Sequence, residues 1–422
     1  MILLSHPIGN EFVREALVAF DQAGLLAEFW TAISWNPKSP VSRALPKSLR
    51  DLLSRRSFPE SVRSRTHTLP VREAIRLFAG AAGFSSSHET GAFSIDAVFR
   101  ELDRKVAGRL KKIDPPSLNA SPARTYGAAG DVRGVYAYED GALESFRAAR
   151  DLNLQRIYDL PIGYWQIGQQ IFAEEAERQP EWASTLTGTL DSAEKLARKD
   201  DELRLATRVI VASTFTKETL ADSPCTAKID IVPYGAPRAI STEIAQSSGK
   251  LKILFAGSLG QRKGLSYLLA AIEKLAGAVD LTLIGRKTAA DCAPLDAAVR
   301  KYRWLPTLTH AAMLQEMHSH DVLVLPSLFE GFGLVILEAM AQGTPVITTD
   351  HTAGPDIIEN EVDGFIVPIR SAEAIAKKLD LLGCDRERLM SMKAAAKHKA
   401  QSRGWDGYRQ RLAEVAREVM AR

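Results

Sequence analysis

Two glutamates in an E-x7-E spacing, Glu330 and Glu338, stand around a glycine loop in the run Glu330-Gly331-Phe332-Gly333-Leu334. Carboxylates accept hydrogen bonds from neighbouring hydroxyls, a simple way to hold a ribose or another sugar ring. The glycines let backbone N–H groups approach an anion or a sugar closely. A second constellation, Phe255-Ala-Gly-Ser-Leu-Gly-Gln-Arg-Lys-Gly264, offers Ser258 in its loop and the cations Arg262 and Lys263 at its end. Positive charge placed there suits a diphosphate.

Both constellations need strands that end where they begin. The apolar stretches 252–256 and 321–326 read as buried parallel strands, with helices over 266–275 and 334–342 and further strands at 280–284 and 346–348. Strands that alternate with helical patterns predict right-handed βαβ units, and such sheets bind ligands beyond the carboxyl ends of their strands. Glu338 then lies about one turn inside its helix. The first half repeats the pattern less tidily: strands at 2–5, 133–137, 156–160 and 207–212, and helices at 11–23 and 143–150. No strand in 37–134 can be placed. The polar stretch 235–250 reads as a linker, so residues 1–235 form an N-terminal Rossmann-like domain and 251–404 a C-terminal one. A terminal helix at 405–420, with one apolar face, is free to pack back on the first domain.

The chain's 422 residues are too many for one core and suit two domains. A net charge of +3 gives no general case for a nucleic-acid partner. The three cysteines, Cys225, Cys292 and Cys384, form no C-x-x-C pair, so neither a disulfide framework nor a zinc site is indicated and a cytoplasmic setting is expected. His310, His318 and His320 make no ligand pair on one helical face, and no metal site is expected. No stretch reaches the length of a membrane span. A basic patch of Arg43, Lys47, Arg50, Arg55, Arg56, Arg63 and Arg65, with the run Arg100 to Lys112, reads first as solvated surface and second as a peripheral contact with anionic membrane.

With the E-x7-E pattern and the Gly-Ser-Leu-x-x-Arg-Lys-Gly loop, the chain resembles the retaining glycosyltransferases of family 4, which have the GT-B fold: two Rossmann-like α/β domains facing across a cleft. Val232-Pro-Tyr-Gly235 and Asp363-Gly-Phe-Ile-Val-Pro368 extend the resemblance over the C-terminal half. It implies a metal-independent enzyme without a cofactor that moves a sugar from a nucleotide diphosphate sugar to a glycan, lipid-linked or small-molecule acceptor. By that resemblance Glu338 holds the donor ribose, Glu330 lies beside the donor sugar, and Lys263 with Arg262 binds the diphosphate. Many members carry arginine where this chain has Ser258, and Arg262 is expected to supply that charge. In the N-terminal half the match is only in outline. Gly9 and Asn10, after the first strand, are expected to face the donor, whereas His6 is more often a structural turn residue. Glu139 and Asp140, at a strand end, are candidates for the acceptor side, against a capping role for Asp140. Ser213 to Thr216 resembles the family's interdomain segment. Two alternatives fit the same residues: a nucleotide-sugar epimerase on the same fold, and a non-catalytic nucleotide-sugar-binding protein.

Overall fold

A computed structural model of the protein describes residues 1–39, 42, 45, 50, 53–81, 89–113, 132–245, 249–275 and 277–421. Two of the basic-patch residues, Arg43 and Lys47, lie outside these, as do 246–248 of the linker.

The N-terminal half runs β1 (Ile2–Ser5), α1 (Glu11–Gln22), β2 (Leu26–Thr31), β3 (Thr66–Thr68), α2 (Pro70–Ala81), α3 (Ile95–Leu110), β4 (Gly134–Tyr138), α4 (Leu143–Asp151), β5 (Gln155–Leu160), α5 (Trp165–Arg178), α6 (Ala193–Leu205), β6 (Arg208–Val211), α7 (Thr214–Glu218) and β7 (Lys228–Ile231). Its strands form one parallel sheet in the order β3-β2-β1-β4-β5-β6-β7. The C-terminal half runs β8 (Leu251–Ala256), α8 (Leu265–Lys274), β9 (Val279–Ile284), α9 (Ala293–Lys301), β10 (Arg303–Leu305), α10 (His310–Ser319), β11 (Val322–Leu325), α11 (Leu334–Ala341), β12 (Val346–Thr349), α12 (Gly354–Ile357), β13 (Gly364–Val367), α13 (Ala372–Cys384), α14 (Arg386–Gln401) and α15 (Trp405–Met420). Its sheet, again parallel, has the order β10-β9-β8-β11-β12-β13.

The central strands are buried over their whole length, as β1, β4, β6, β11 and β12 show, because helices cover both faces. Their continuous apolar runs made them legible. The strands not foreseen are β2, β3, β7, β10 and β13, which are short or carry charges such as Glu28, Lys228 and Asp230. In the segment 37–134, β3 is the strand among the described residues.

The two halves exchange elements. Helix α5 and the following turns put Ile171, Phe172, Trp182 and Leu186 into one apolar cluster with β8, β9 and β11, so residues numbered within the first domain complete the core of the second. In return α15 packs on α1, where Arg409 pairs with Glu15 at 2.5 Å, and Arg208 of β6 meets Glu418 at 3.1 Å. The chain therefore crosses between the domains twice.

Candidate functional site

At the end of β8 the chain must turn sharply to bring two cations back over the sheet. Gly257 has a φ of 147°, and the Lys263 stem passes 3.6 Å from where a Cβ would stand on it. Gln261 to Lys263 form a single 3-10 turn closed by Gly264, whose φ is 69°. A Cβ on Gly264 would lie 2.0 Å from the Pro326 carbonyl oxygen, so only glycine lets the turn touch the end of β11. Leu328 N–H donates to the Arg262 carbonyl at 2.9 Å and fastens the two loops together.

This join creates the charge centre. Lys263 Nζ is ion-paired with Glu330, and Arg262 Nη1 lies 3.4 Å from the same carboxylate while donating to Phe329 O at 3.0 Å. Burial works to raise the Glu330 carboxyl, but the adjacent Lys263 and Arg262 charges overcome it and hold it at about 2. Burial lowers the Lys263 ammonium, with Glu330 opposing that and Arg262 adding to it. We read the pair as ionised. Two cations face one carboxylate, leaving a surplus of positive charge beyond the strand ends. Ser258 sits exposed in the same loop and adds no charge, so the cations here are Arg262 and Lys263.

The same turn is gripped from the other domain. Gln261 N–H donates to Thr185 Oγ1 at 2.9 Å, and its side-chain amide donates to Glu175 Oε1 of α5 at 2.7 Å. Arg370, which leaves β13, donates to Glu175 Oε2 at 2.9 Å. Glu175 is thus a fully buried anchor for the cationic turn that sequence reasoning missed.

The glycine loop divides its labour. A Cβ on Gly331 would stand 1.9 Å from Pro161 O, and the Gly331 carbonyl accepts from Ser213 Oγ at 2.5 Å and Thr216 Oγ1 at 2.8 Å. Thr214 adds two bonds to Asp356, at 2.8 and 2.5 Å. The Phe332 ring is 2 % exposed and packs on Tyr234 with centroids 5.0 Å apart, so its side chain belongs to the core and only its backbone borders the site. Gly333, with a φ of 83°, then starts α11. The first amides of a helix lack intrahelical partners, so Gly333 and Leu334 present N–H groups in the manner that suits an anion.

Glu338 lies on α11, where His310 Nε2 approaches its Oε1 at 3.1 Å. The hydrogen bond to Glu338 raises the His310 imidazole, and Glu11 and Arg14 of α1 are near enough to act on its charge. The start of helix α1 thus lies within electrostatic range of His310. Arg14 donates to Gly9 O and pairs with Glu11, each at 2.5 Å, which fixes the Gly9-Asn10 corner. His310 entered the sequence reading only as a metal ligand to be dismissed. Its position at the start of α10, after the Thr309 cap, was the available signal.

Glu139 and Asp140 have other partners. Glu139 is 3.5 Å from Lys199, and Asp140 is 3.7 Å from Lys195 and 3.5 Å from Arg198, all on α6. Asp140 adopts a φ of 70° and its N–H donates to Glu202 at 3.0 Å. Burial pushes the Glu139 carboxyl up to about 7, Lys199 opposing and Asp140 assisting. His6 is buried among Phe12, Phe99 and Tyr138, accepts the Ile8 N–H at 3.0 Å, and is pushed down to about 3 by burial, so it stays neutral. Much of the basic patch is already paired: Arg56 is buried against Glu73, Arg65 meets Asp21, and Arg109 meets Glu28 at 2.6 Å. Among the described residues no group of three or more His, Cys, Asp or Glu could hold a metal ion, and no helix is long and apolar enough to cross a membrane.

Two parallel-sheet Rossmann-like domains with loops meeting at their carboxyl ends define the GT-B architecture, and solved structures share it over the full chain. Sucrose-phosphate synthase from Thermosynechococcus elongatus superposes with a TM-score of 0.68 at 18% identity, covering 100% of this chain and 99% of that one. Anabaena HepE, solved with UDP and glucose, gives 0.62 at 14%, covering 99% of each. Residues 238–399 match the family described as Glycosyl transferases group 1. Among curated relatives, a glycogen synthase of Mycobacterium tuberculosis is 29% identical over 236 residues, 53% of this chain and 54% of its own. An uncharacterised glycosyltransferase of Methanocaldococcus jannaschii is 32% identical over 40% of this chain and 46% of its own. The matches thus span about half the length of these two relatives.

Proposed function

We propose that the protein is a retaining glycosyltransferase of family 4 that transfers a sugar from a nucleotide diphosphate sugar to a hydroxyl acceptor without a metal ion or cofactor. The observation that carries this reading is the Lys263–Glu330–Arg262 centre, assembled by two adjoining loops beyond β8 and β11. The match of the surrounding segment to group 1 glycosyl transferases supports it.

In the reaction the bond between the sugar's anomeric carbon and the diphosphate oxygen breaks, and the acceptor oxygen bonds to that carbon on the same face. The departing diphosphate oxygen takes the acceptor's proton. Lys263 and Arg262 stabilise the charge that develops on the leaving phosphate, which is the dominant way a preorganised site lowers such a barrier. Glu330 orients both cations and stands beside the sugar. Glu338 receives the ribose hydroxyls, with His310 steadying one of its oxygens, and amides at the start of α11 meet the diphosphate.

The test is thermal stabilisation by UDP, GDP, ADP and their sugars, followed by product analysis. A ligand at about 100 times its dissociation constant adds about 2.7 kcal/mol of stability. Transfer with the donor's anomeric configuration preserved is the expected result. No shift with any nucleotide sinks the proposal, and release of an altered free sugar without acceptor identifies an epimerase.

A further inference from the structure

A cavity of about 310 Å³ opens at the β2–β3 edge of the N-terminal sheet, lined in part by Ser34, Trp35, Asn36, Arg63, Thr66 and Thr68. That is the lower end of the range for small-molecule sites, roughly 300–1,000 Å³. Its lining is two aromatic rings, Trp35 and Phe58, with Pro59, amid hydroxyl, amide and guanidinium groups, a mixture that fits a hydroxylated ring with one apolar face better than a wholly apolar ligand.

Several lining residues are tied into the domain. Trp35 N–H donates to Arg56 O at 2.8 Å, and the Arg56 guanidinium is buried against Glu73, which also holds Arg76 at 2.7 Å. Asn36 Oδ1 accepts the Lys38 N–H at 3.1 Å, and Thr66 Oγ1 donates to Val62 O at 2.8 Å. Phe58 lines the cavity too, and its ring lies 2.7 Å from where a Cβ on Gly9 would stand. The cavity therefore shares a wall with the Gly9 corner that leads into α1. Near it, Arg63 and Lys38 share one carboxylate, Glu60, at 3.6 and 3.8 Å. Exposed pairs of this kind are weak, and one cation in excess favours an anionic ligand.

We propose that this cavity is the acceptor subsite and takes a monosaccharide bearing a phosphate or carboxylate group, its ring against Trp35 and its anion on Arg63. The inference rests on the glycosyl-transfer reading, and its test reads sugar binding independently of nucleotide. Calorimetric titration of the full chain with glucose 6-phosphate, glucuronate and glucose should show the two anionic sugars binding about tenfold more tightly than glucose. Their relative order identifies the anion. Arg63→Gln should abolish the preference and leave glucose unchanged, and Trp35→Ala should weaken all three while nucleotide affinity holds in both variants. Equal binding of charged and neutral sugars, no sugar binding at all, or an Arg63→Gln protein that keeps the preference overturns the proposal. Failure of nucleotides alone to bind would instead overturn the donor reading.

Discussion

Each domain carries a largely buried glutamate in the loop after a central strand, paired with a lysine, and the two pairs behave in opposite ways. Glu330 meets Lys263 and Arg262 and is held at about 2. Glu139 meets Lys199, but that lysine is also 4.0 Å from Asp140 and 3.3 Å from Asp191, and Glu139 is pushed up to about 7. A surplus of cation defines the first centre and a shared cation the second. On the proposed function the first would meet an incoming anion, whereas the second ties the end of β4 to α6. A buried carboxylate at a strand end is therefore not a site until its neighbours' charges are counted.

The largest way to break the comparison is to remove the cation. Lys263→Ala should lower kcat by about 10²- to 10³-fold, the usual cost of deleting one preorganised donor to developing charge. Glu330→Ala should likewise act mainly on kcat, and initial rates at saturating donor check both. Removing Glu338 should act on binding: Glu338→Ala is expected to weaken nucleotide affinity by about tenfold, measured by calorimetry. His310→Gln should cost less, about threefold in affinity at neutral pH, because it only steadies one oxygen of Glu338. If it costs more than Glu338→Ala, the imidazole touches the ligand itself.

The smallest effect belongs to the other pair. Glu139→Gln should leave turnover within about twofold, since its partners are on α6 and not across the cleft. Its signature is in stability against pH. A carboxyl raised from 4.5 to about 7 in the folded state releases its proton on unfolding between those values, so stability from this group falls as pH rises through that window. Relative to the wild type, the Gln variant should gain on the order of 3 °C in Tm between about pH 5 and pH 8. The depressed Glu330 has the reverse sign: its contribution is present above 4.5 and lost as pH falls toward about 2. Loss of turnover in Glu139→Gln would make the two pairs alike and end the contrast.

Legibility in the sequence followed how local each signal was. Strands β8, β9, β11 and β12 were readable because a buried parallel strand is a continuous apolar run bounded by turn residues, and the loops and the helix that follow them carried Arg262, Lys263, Glu330 and Glu338 in plain spacing. Strand β3 is three residues with no apolar member, and nothing local marks it. Phe332 shows a related limit: spacing places it in the loop, but only the fold decides that its ring turns into the core against Tyr234 and leaves its backbone at the loop.

By itself the sequence determined the two-sheet alternation and the residue types beyond the strand ends of the second sheet, because these depend on periodicity and on glycines that only certain turns require. Only the tertiary structure decided what those groups meet. Lys263 and Glu330 are 67 residues apart, Gly331 is clamped by Ser213 118 residues earlier, and α5 completes a core that follows it in the chain. Whether a carboxylate is held ionised, as Glu330 is, or driven toward its neutral form, as Glu139 is, depends on Coulomb interactions and desolvation over a few ångströms of space.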